Sequence, residues 1–208
     1  MAVINGINKD TIKNMQLDAG VILNDEINPE SATISDEITN KSIGATKGAT
    51  TFSAIPEIRN IFDGIDGVRG DIKDGNVIDK WEVTLKTSVT EFTLNNLKLA
   101  LGAGTESKQG EKFDTLEPND VIVTNDYKTI TWIGSMAGSS EPIIIILRDC
   151  LNMNGLTITA EDKSTGTVEI ELRAHVTLGG SKKQFTIYLP KNQLPSRTAH
   201  VEELKLDK

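Results

Sequence analysis

Six glycines punctuate the stretch from Ile43 to Glu82, at Gly44, Gly48, Gly64, Gly67, Gly70 and Gly75, and they limit what this part of the chain can become. They are too many for a helix and too widely spread for one compact loop. Glycine accepts positive φ and close backbone approach, so the spacing predicts short extended pieces joined by tight turns. Short apolar pieces lie between the glycines: Phe52 to Ile55, Ile58, Ile61 and Phe62. An irregular segment of about forty residues is uncommon inside a compact domain unless it is functional or held by a partner. The expectation is an arm over residues 43–79 that packs on something, most simply another copy of the same chain.

The flanking sequence predicts a β protein. From Val77 the pattern turns to period two, with Trp81, Val83, Leu85 and Thr87 alternating against Glu82, Thr84 and Lys86. One amphipathic helix follows, starting at Ser88–Glu91 with Thr90 as its cap. Leu94, Leu97 and Leu101 form its stripe, and Gly102 and Gly104 stop it. Further strands are expected at Ala19–Leu23, Val121–Thr124, Thr129–Met136, Pro142–Arg148, Leu156–Ala160, Thr167–Val176 and Lys183–Leu189. Turns fall at Asn154-Gly155, Ser164-Thr165-Gly166 and Gly179-Gly180. A short alternation at Ala2–Ile7 opens the chain, and Ser31–Ser42 and Gly102–Asp114 read as loops. The fold class expected is mainly β: an antiparallel β-sandwich or partly closed barrel with one flanking α-helix and a long extended arm. Residues 1–190 form one domain in this scheme, and 191–208 a polar tail that either hooks a neighbour or stays mobile.

Composition narrows function by exclusion. The chain has 208 residues, 38% of them hydrophobic and 25% charged, with a formal net charge of −8. That balance argues against a surface built to neutralise phosphates, yet suits a conduit past which nucleic acid slides. A single cysteine, Cys150, allows neither an intrachain disulfide nor a cysteine-cluster metal site, and it reads as a small buried thiol. No leader is evident and the apolar run Ile143–Leu147 is too short to span a bilayer, so the chain is expected to be intracellular when made, with no membrane partner. The segment Asp71–Glu82 has the length of an EF-hand calcium loop, but Lys73 occupies a ligand position and the glycine falls one place early. In Gly44–Thr51 the lysine precedes the glycine, opposite to a phosphate-binding loop. Arg69-Gly70-Asp71 spells an adhesion tripeptide that a glycine turn already explains. Of the two histidines, His175 lies in an alternating strand and reads as a packed or interfacial residue that only His200 could join; nothing singles out a triad. No catalytic residue, metal site or cofactor is assigned, and the chain is not expected to be an enzyme.

The run GATKGATTFSAIPEIRNIFDGIDG, Gly44 to Gly67, resembles a signature of the major tail tube proteins of long, non-contractile-tailed bacteriophages. In that family a GAT-x-GG-x-x-F block precedes P-E-x-R and an acidic Asp-Gly turn. Here Gly44-Ala45-Thr46, Lys47-Gly48, Phe52, Pro56-Glu57-Ile58-Arg59 and Asp66-Gly67 match in order, with Ala49 where a second glycine is usual. A second segment, CLNMNGLTITAEDKSTGTVEIELRAHVT from Cys150 to Thr177, is similar to the closing hairpin of that family. The resemblance covers most of residues 40–190.

It implies a virion protein, assembled in the host bacterial cytoplasm, whose subunits form stacked hexameric rings enclosing a channel for DNA ejection. Its partners would be further copies of itself, a tape-measure protein and a tail terminator, with DNA passing through the channel unbound. In this scheme Phe52, Ile55, Pro56, Ile58 and Phe62 are apolar anchors of the arm between subunits, and Glu57, Arg59 and Asp63 its polar contacts. Two other readings stay open: a β-sandwich binding module of a tail tip, and the inner tube of a contractile injection system. Against the first stands an aromatic content of only 4%, with Trp81 and Trp132 in strand patterns.

Overall fold

The computed structural model describes residues 15–16, 18–30, 34–107 and 110–191, with backbone alone over 34–37. The expected alternation at 2–7, the tail from 192 and His200 lie outside the described residues. The elements in order are β1 (Val21–Leu23), α1 (Ile34–Lys41), β2 (Thr51–Asn60), β3 (Asn76–Val89), α2 (Leu94–Leu101), β4 (Gly104–Ser107), β5 (Thr115–Pro118), β6 (Lys128–Gly134), β7 (Ile143–Asn152), β8 (Thr157–Thr159), β9 (Thr167–Ala174) and β10 (Phe185–Tyr188). All pairings are antiparallel. The main sheet runs β1-β6-β7-β9-β3-β2, with β10 beside β7 and β8 beside β9; β4 and β5 form a separate pair. The sheet stays open rather than closing into a barrel, and the architecture is sandwich-like.

Alternation in the sequence becomes two faces in space. Along β3, Val83, Leu85, Thr87 and Val89 are buried while Glu82 and Lys86 are exposed; along β9, Val168, Ile170, Leu172 and Ala174 are buried. The apolar side chains of both strands meet Ile130 of β6 and Ile145, Leu147 and Cys150 of β7 in one core. The unbroken apolar run of β7 has its own reason. Ile145 and Leu147 face that core, whereas Ile144 and Ile146 face a second cluster with Leu23, Ile27 and Ile133. A strand covered on both faces has no solvent side on which to place polar residues.

Ile38 of α1 packs on the second cluster, so the segment read as a loop, Ser31–Ser42, carries a helix, and two helices flank the sheet instead of one. The start of α2 also differs from expectation. Val89 is the last residue of β3, and the Thr90 hydroxyl donates to Ala45 O at 3.0 Å. The cap is Thr93, whose Oγ1 accepts the Asn96 N–H at 3.2 Å. Its buried stripe is Asn96, Leu99 and Ala100, with Leu97 partly covered, rather than Leu94, Leu97 and Leu101.

Two further expectations are corrected. Gly102–Asp114 is not wholly loop, because it contains β4, paired with β5. Val121–Thr124 is not a strand. Its three aliphatic residues are half or more exposed, and the Asp126 carboxylate accepts the Val123 N–H at 2.8 Å, closing a 3₁₀ turn over Thr124–Asp126. A side chain that captures a backbone donor in this way competes with a sheet ladder.

Candidate assembly surface

β2 and β3 form a long hairpin that leaves the body of the protein. β9 pairs with β3 only from Thr84 to Val89, so the first half of β3, Asn76–Val83, has β2 as its one partner. The arm predicted over 43–79 is therefore a β-ribbon for much of its length rather than irregular. Pro56 fits because β2 is an edge strand, where a missing N–H leaves no ladder bond unmade.

The register slips by one residue between Glu57 and Ile58, leaving Asp79 as an extra residue on β3. Arg59 reaches it through two bonds, Nε at 3.0 Å and Nη2 at 3.1 Å. That paired hydrogen bonding holds the Asp79 carboxyl below its usual value and raises the Arg59 guanidinium. Lys80 pairs with Glu57 at 2.8 Å, and the hydrogen bond raises the Lys80 ammonium.

The tip, residues 61–75, is held at its base. Ile61 N–H donates to Gly75 O at 2.8 Å, the Asn60 amide donates to Ile72 O and Asn76 Oδ1 at 3.1 Å each, and Phe62 N–H donates to Asn60 Oδ1 at 2.9 Å. Phe62 lies so close to Gly75 that a Cβ there would strike its ring. Gly75 is thus a structural residue of the arm, and so is Asn60, which sequence reasoning passed over; an asparagine opening a glycine-rich turn was the available signal.

The eight sequence-predicted contact residues divide in two. Ile55 and Ile58 are 58% and 57% exposed, and Glu57, Arg59 and Asp63 are also exposed. Phe52 instead faces the core, with its ring edge-on to Phe185 at 5.5 Å; Pro56 is half-buried opposite Trp81, and Phe62 belongs to the tip's own packing. Glu57 and Arg59 already have partners across the hairpin. Residues the prediction passed over complete the apolar surface: Ile61, Ile65, Ile72, Val77, Ile78 and Trp81 are each 39–52% exposed. Exposed apolar residues in this number on a two-stranded ribbon are the kind of surface through which proteins associate.

The glycine-rich block before β2 does not belong to the free arm. Ala45 N–H donates to Glu91 Oε1 at 2.9 Å, Lys47 N–H to Ser88 O at 2.8 Å, and the buried Asn96 amide to Ile43 O at 2.7 Å. Gly44 has φ +96°, and a Cβ there would collide with the Glu91 carboxylate, so glycine is required. Lys47 Nζ donates to Ser164 Oγ at 2.7 Å. The block is a clamp that fastens the root of the hairpin to the start of α2.

Elsewhere, His175 lies edge-on to Tyr127 at 5.3 Å, with Nδ1 3.0 Å from Asp149 O. Cys150 is buried, and burial with the neighbouring Asp149 pushes its thiol up to about 12. Among the described residues no group of three or more His, Cys, Asp or Glu side chains is placed to hold a metal ion, and no helix is long and apolar enough to cross a membrane. No protein-family model and no curated protein matches the chain.

Proposed function

We propose that this chain is a structural subunit that polymerises through its β2–β3 hairpin, in the manner of a phage tail tube protein. The observation that carries the reading is the projecting ribbon, whose apolar residues lie on a segment fastened firmly at its root. A head-to-tail contact between a hairpin and a different surface of the next copy closes a ring or extends without limit, depending on the rotation between copies. Hexameric rings stacked around a DNA channel are the specific form that the sequence resemblance supplies, with the virion tail as its location. Tape-measure and terminator proteins would set the length. The net charge of −8 favours passage of DNA over its capture.

The experiment is negative-stain electron microscopy of the purified full chain over a concentration series, paired with sedimentation. Tubes or six-fold rings are expected. A monomer that persists at the highest concentration would overturn the proposal in favour of a binding module that acts as a single copy.

A further inference from the structure

The turn between β7 and β8 carries an Asn-Gly pair, Asn154-Gly155. Asn152, just before it, pins the turn from within. Its buried side chain donates from Nδ2 to Gly155 O at 3.1 Å and to Ala100 O at the end of α2, while its Oδ1 accepts the Asn154 N–H at 3.0 Å. These bonds engage the two outer groups of the pair, the Asn154 N–H and the Gly155 carbonyl. For the two inner groups, the Asn154 carboxamide and the Gly155 N–H, no hydrogen bond is found among the described residues. Asn154 is exposed, Gly155 has φ +73°, and nothing lies within 4 Å of where a Gly155 Cβ would stand.

An asparagine carboxamide and the next backbone nitrogen are held close by the chain itself, so their reaction is intramolecular. A Cβ on the following residue and a hydrogen bond on its N–H are what ordinarily hold it back. Gly155 has no Cβ and keeps the backbone freedom that ring closure needs. Asn152, two residues earlier, is the contrast: buried, with its amide committed to two carbonyls, and followed by Met153.

We propose that Asn154 is a site of spontaneous modification, converting to aspartate and isoaspartate through a cyclic imide. The Gly155 nitrogen gives its proton to solvent and attacks Asn154 Cγ, forming the C–N bond of a five-membered ring. The bond from Cγ to Nδ2 breaks, and that nitrogen takes a proton from solvent and leaves as ammonia. Water then opens the ring. Attack at Cγ breaks the new bond and gives aspartate; attack at the Asn154 backbone carbonyl carbon breaks the original peptide link and gives isoaspartate. One water enters, one ammonia leaves, and nothing is oxidised or reduced. The turn separates the two products. Aspartate keeps the backbone, so both bonds from Asn152 to the turn persist. Isoaspartate inserts a methylene between the Asn154 nitrogen and the Gly155 carbonyl, so Asn152 can no longer hold both, and the tie from the turn to α2 loosens. β8 lies beside the part of β9 that pairs with Ser88 and Val89, away from the outer half of the hairpin, so the modification stands apart from the proposed assembly contact.

The test is peptide mapping by mass spectrometry of the folded full chain, sampled over weeks in warm, mildly alkaline buffer. The peptide carrying Asn154 should gain the mass of an amide-to-acid exchange and split into two chromatographic forms, with fragmentation placing the change at Asn154. Asn154→Gln, which would have to close a larger ring, should slow the conversion by about tenfold or more. The chain's other Asn-Gly pair, Asn5-Gly6, lies outside the described residues and serves as an internal clock. An Asn154 peptide that keeps its mass throughout, whether or not Asn5 converts, would overturn the proposal, and so would a change located at Asn152. In a thermal melt, Asn154→Asp should match the fresh parent, while the separated isoaspartate form should melt lower. Equal midpoints for the two products would overturn the part given to Asn152.

Discussion

The two halves of β3 obey different rules. From Val83 to Val89 every second side chain is buried in the core, with β2 alongside as far as Lys86 and β9 alongside from Thr84. From Asn76 to Glu82 it has β2 alone, and every residue is exposed. The inner half is held by apolar burial, worth roughly 25 cal/mol per Å² removed from water. The outer half is held by its ladder, by the Arg59–Asp79 and Lys80–Glu57 pairs, and by the hydrogen bonds of Asn60. Exposed cross-strand ion pairs contribute little. Apart from Trp81, whose ring meets Phe185, the apolar residues of the outer half therefore do little for the stability of a single chain, as the proposed contact with another copy requires.

Substitutions graded along this strand test the contrast. The largest loss is expected inside: Leu85→Ala should destabilise the chain by about 2–5 kcal/mol in a denaturant melt. Removing the clamp at the hairpin's root should cost less. Asn96→Ala leaves the Ile43 carbonyl without its buried donor and should lose about 1–3 kcal/mol by the same measurement. Ile78→Ala on the outer half should stay within about 0.5 kcal/mol of the parent as a monomer. A loss there as large as that of Leu85→Ala would mean that the outer half is part of the chain's own core.

In the body, Glu26 carries a pH-dependent term. Burial pushes the Glu26 carboxyl up, but hydrogen bonds from Lys182 at 3.0 Å and Arg148 at 2.9 Å outweigh it and hold it below its usual value. A depressed carboxyl stabilises the fold above its unfolded value and loses that contribution as pH falls through the folded one. Melts run from neutral to acid pH should therefore fall more steeply for the parent than for Glu26→Gln. Identical slopes would remove Glu26 from the account. Asp79→Asn, by contrast, should leave the melting midpoint of the monomer unmoved.

Sequence reasoning reached the parts of this fold that local pattern determines. β6, β7, β9 and β10 emerge from period two or from an apolar run, and the alternation of Val83, Leu85 and Thr87 marks the buried face of β3. What it missed depends on partners far along the chain. β2 was hidden because Pro56 and the surrounding glycines break strand patterns, and only the pairing with β3 makes it extended. α1 was missed because Ile34 and Ile38 are its only apolar pair at helical spacing in a polar segment. Thr90 and Thr93 are equally good caps on paper; the hydrogen bond from Thr90 to Ala45 decides between them. Val121–Val123 has strand composition and no strand to join. In the candidate surface, Ile55, Ile58 and the charged residues were legible as exposed. Phe52 was not, because its place in the core is set by Phe185, more than a hundred residues later.

The central claim is that the outer half of the hairpin exists to contact another copy. Its most direct test is sedimentation velocity of the parent beside a double variant, Ile58→Glu with Ile78→Glu, at matched concentration. The account predicts large polymers for the parent and a small, folded species with an unchanged melting midpoint for the variant. A variant that polymerises as the parent does would contradict it.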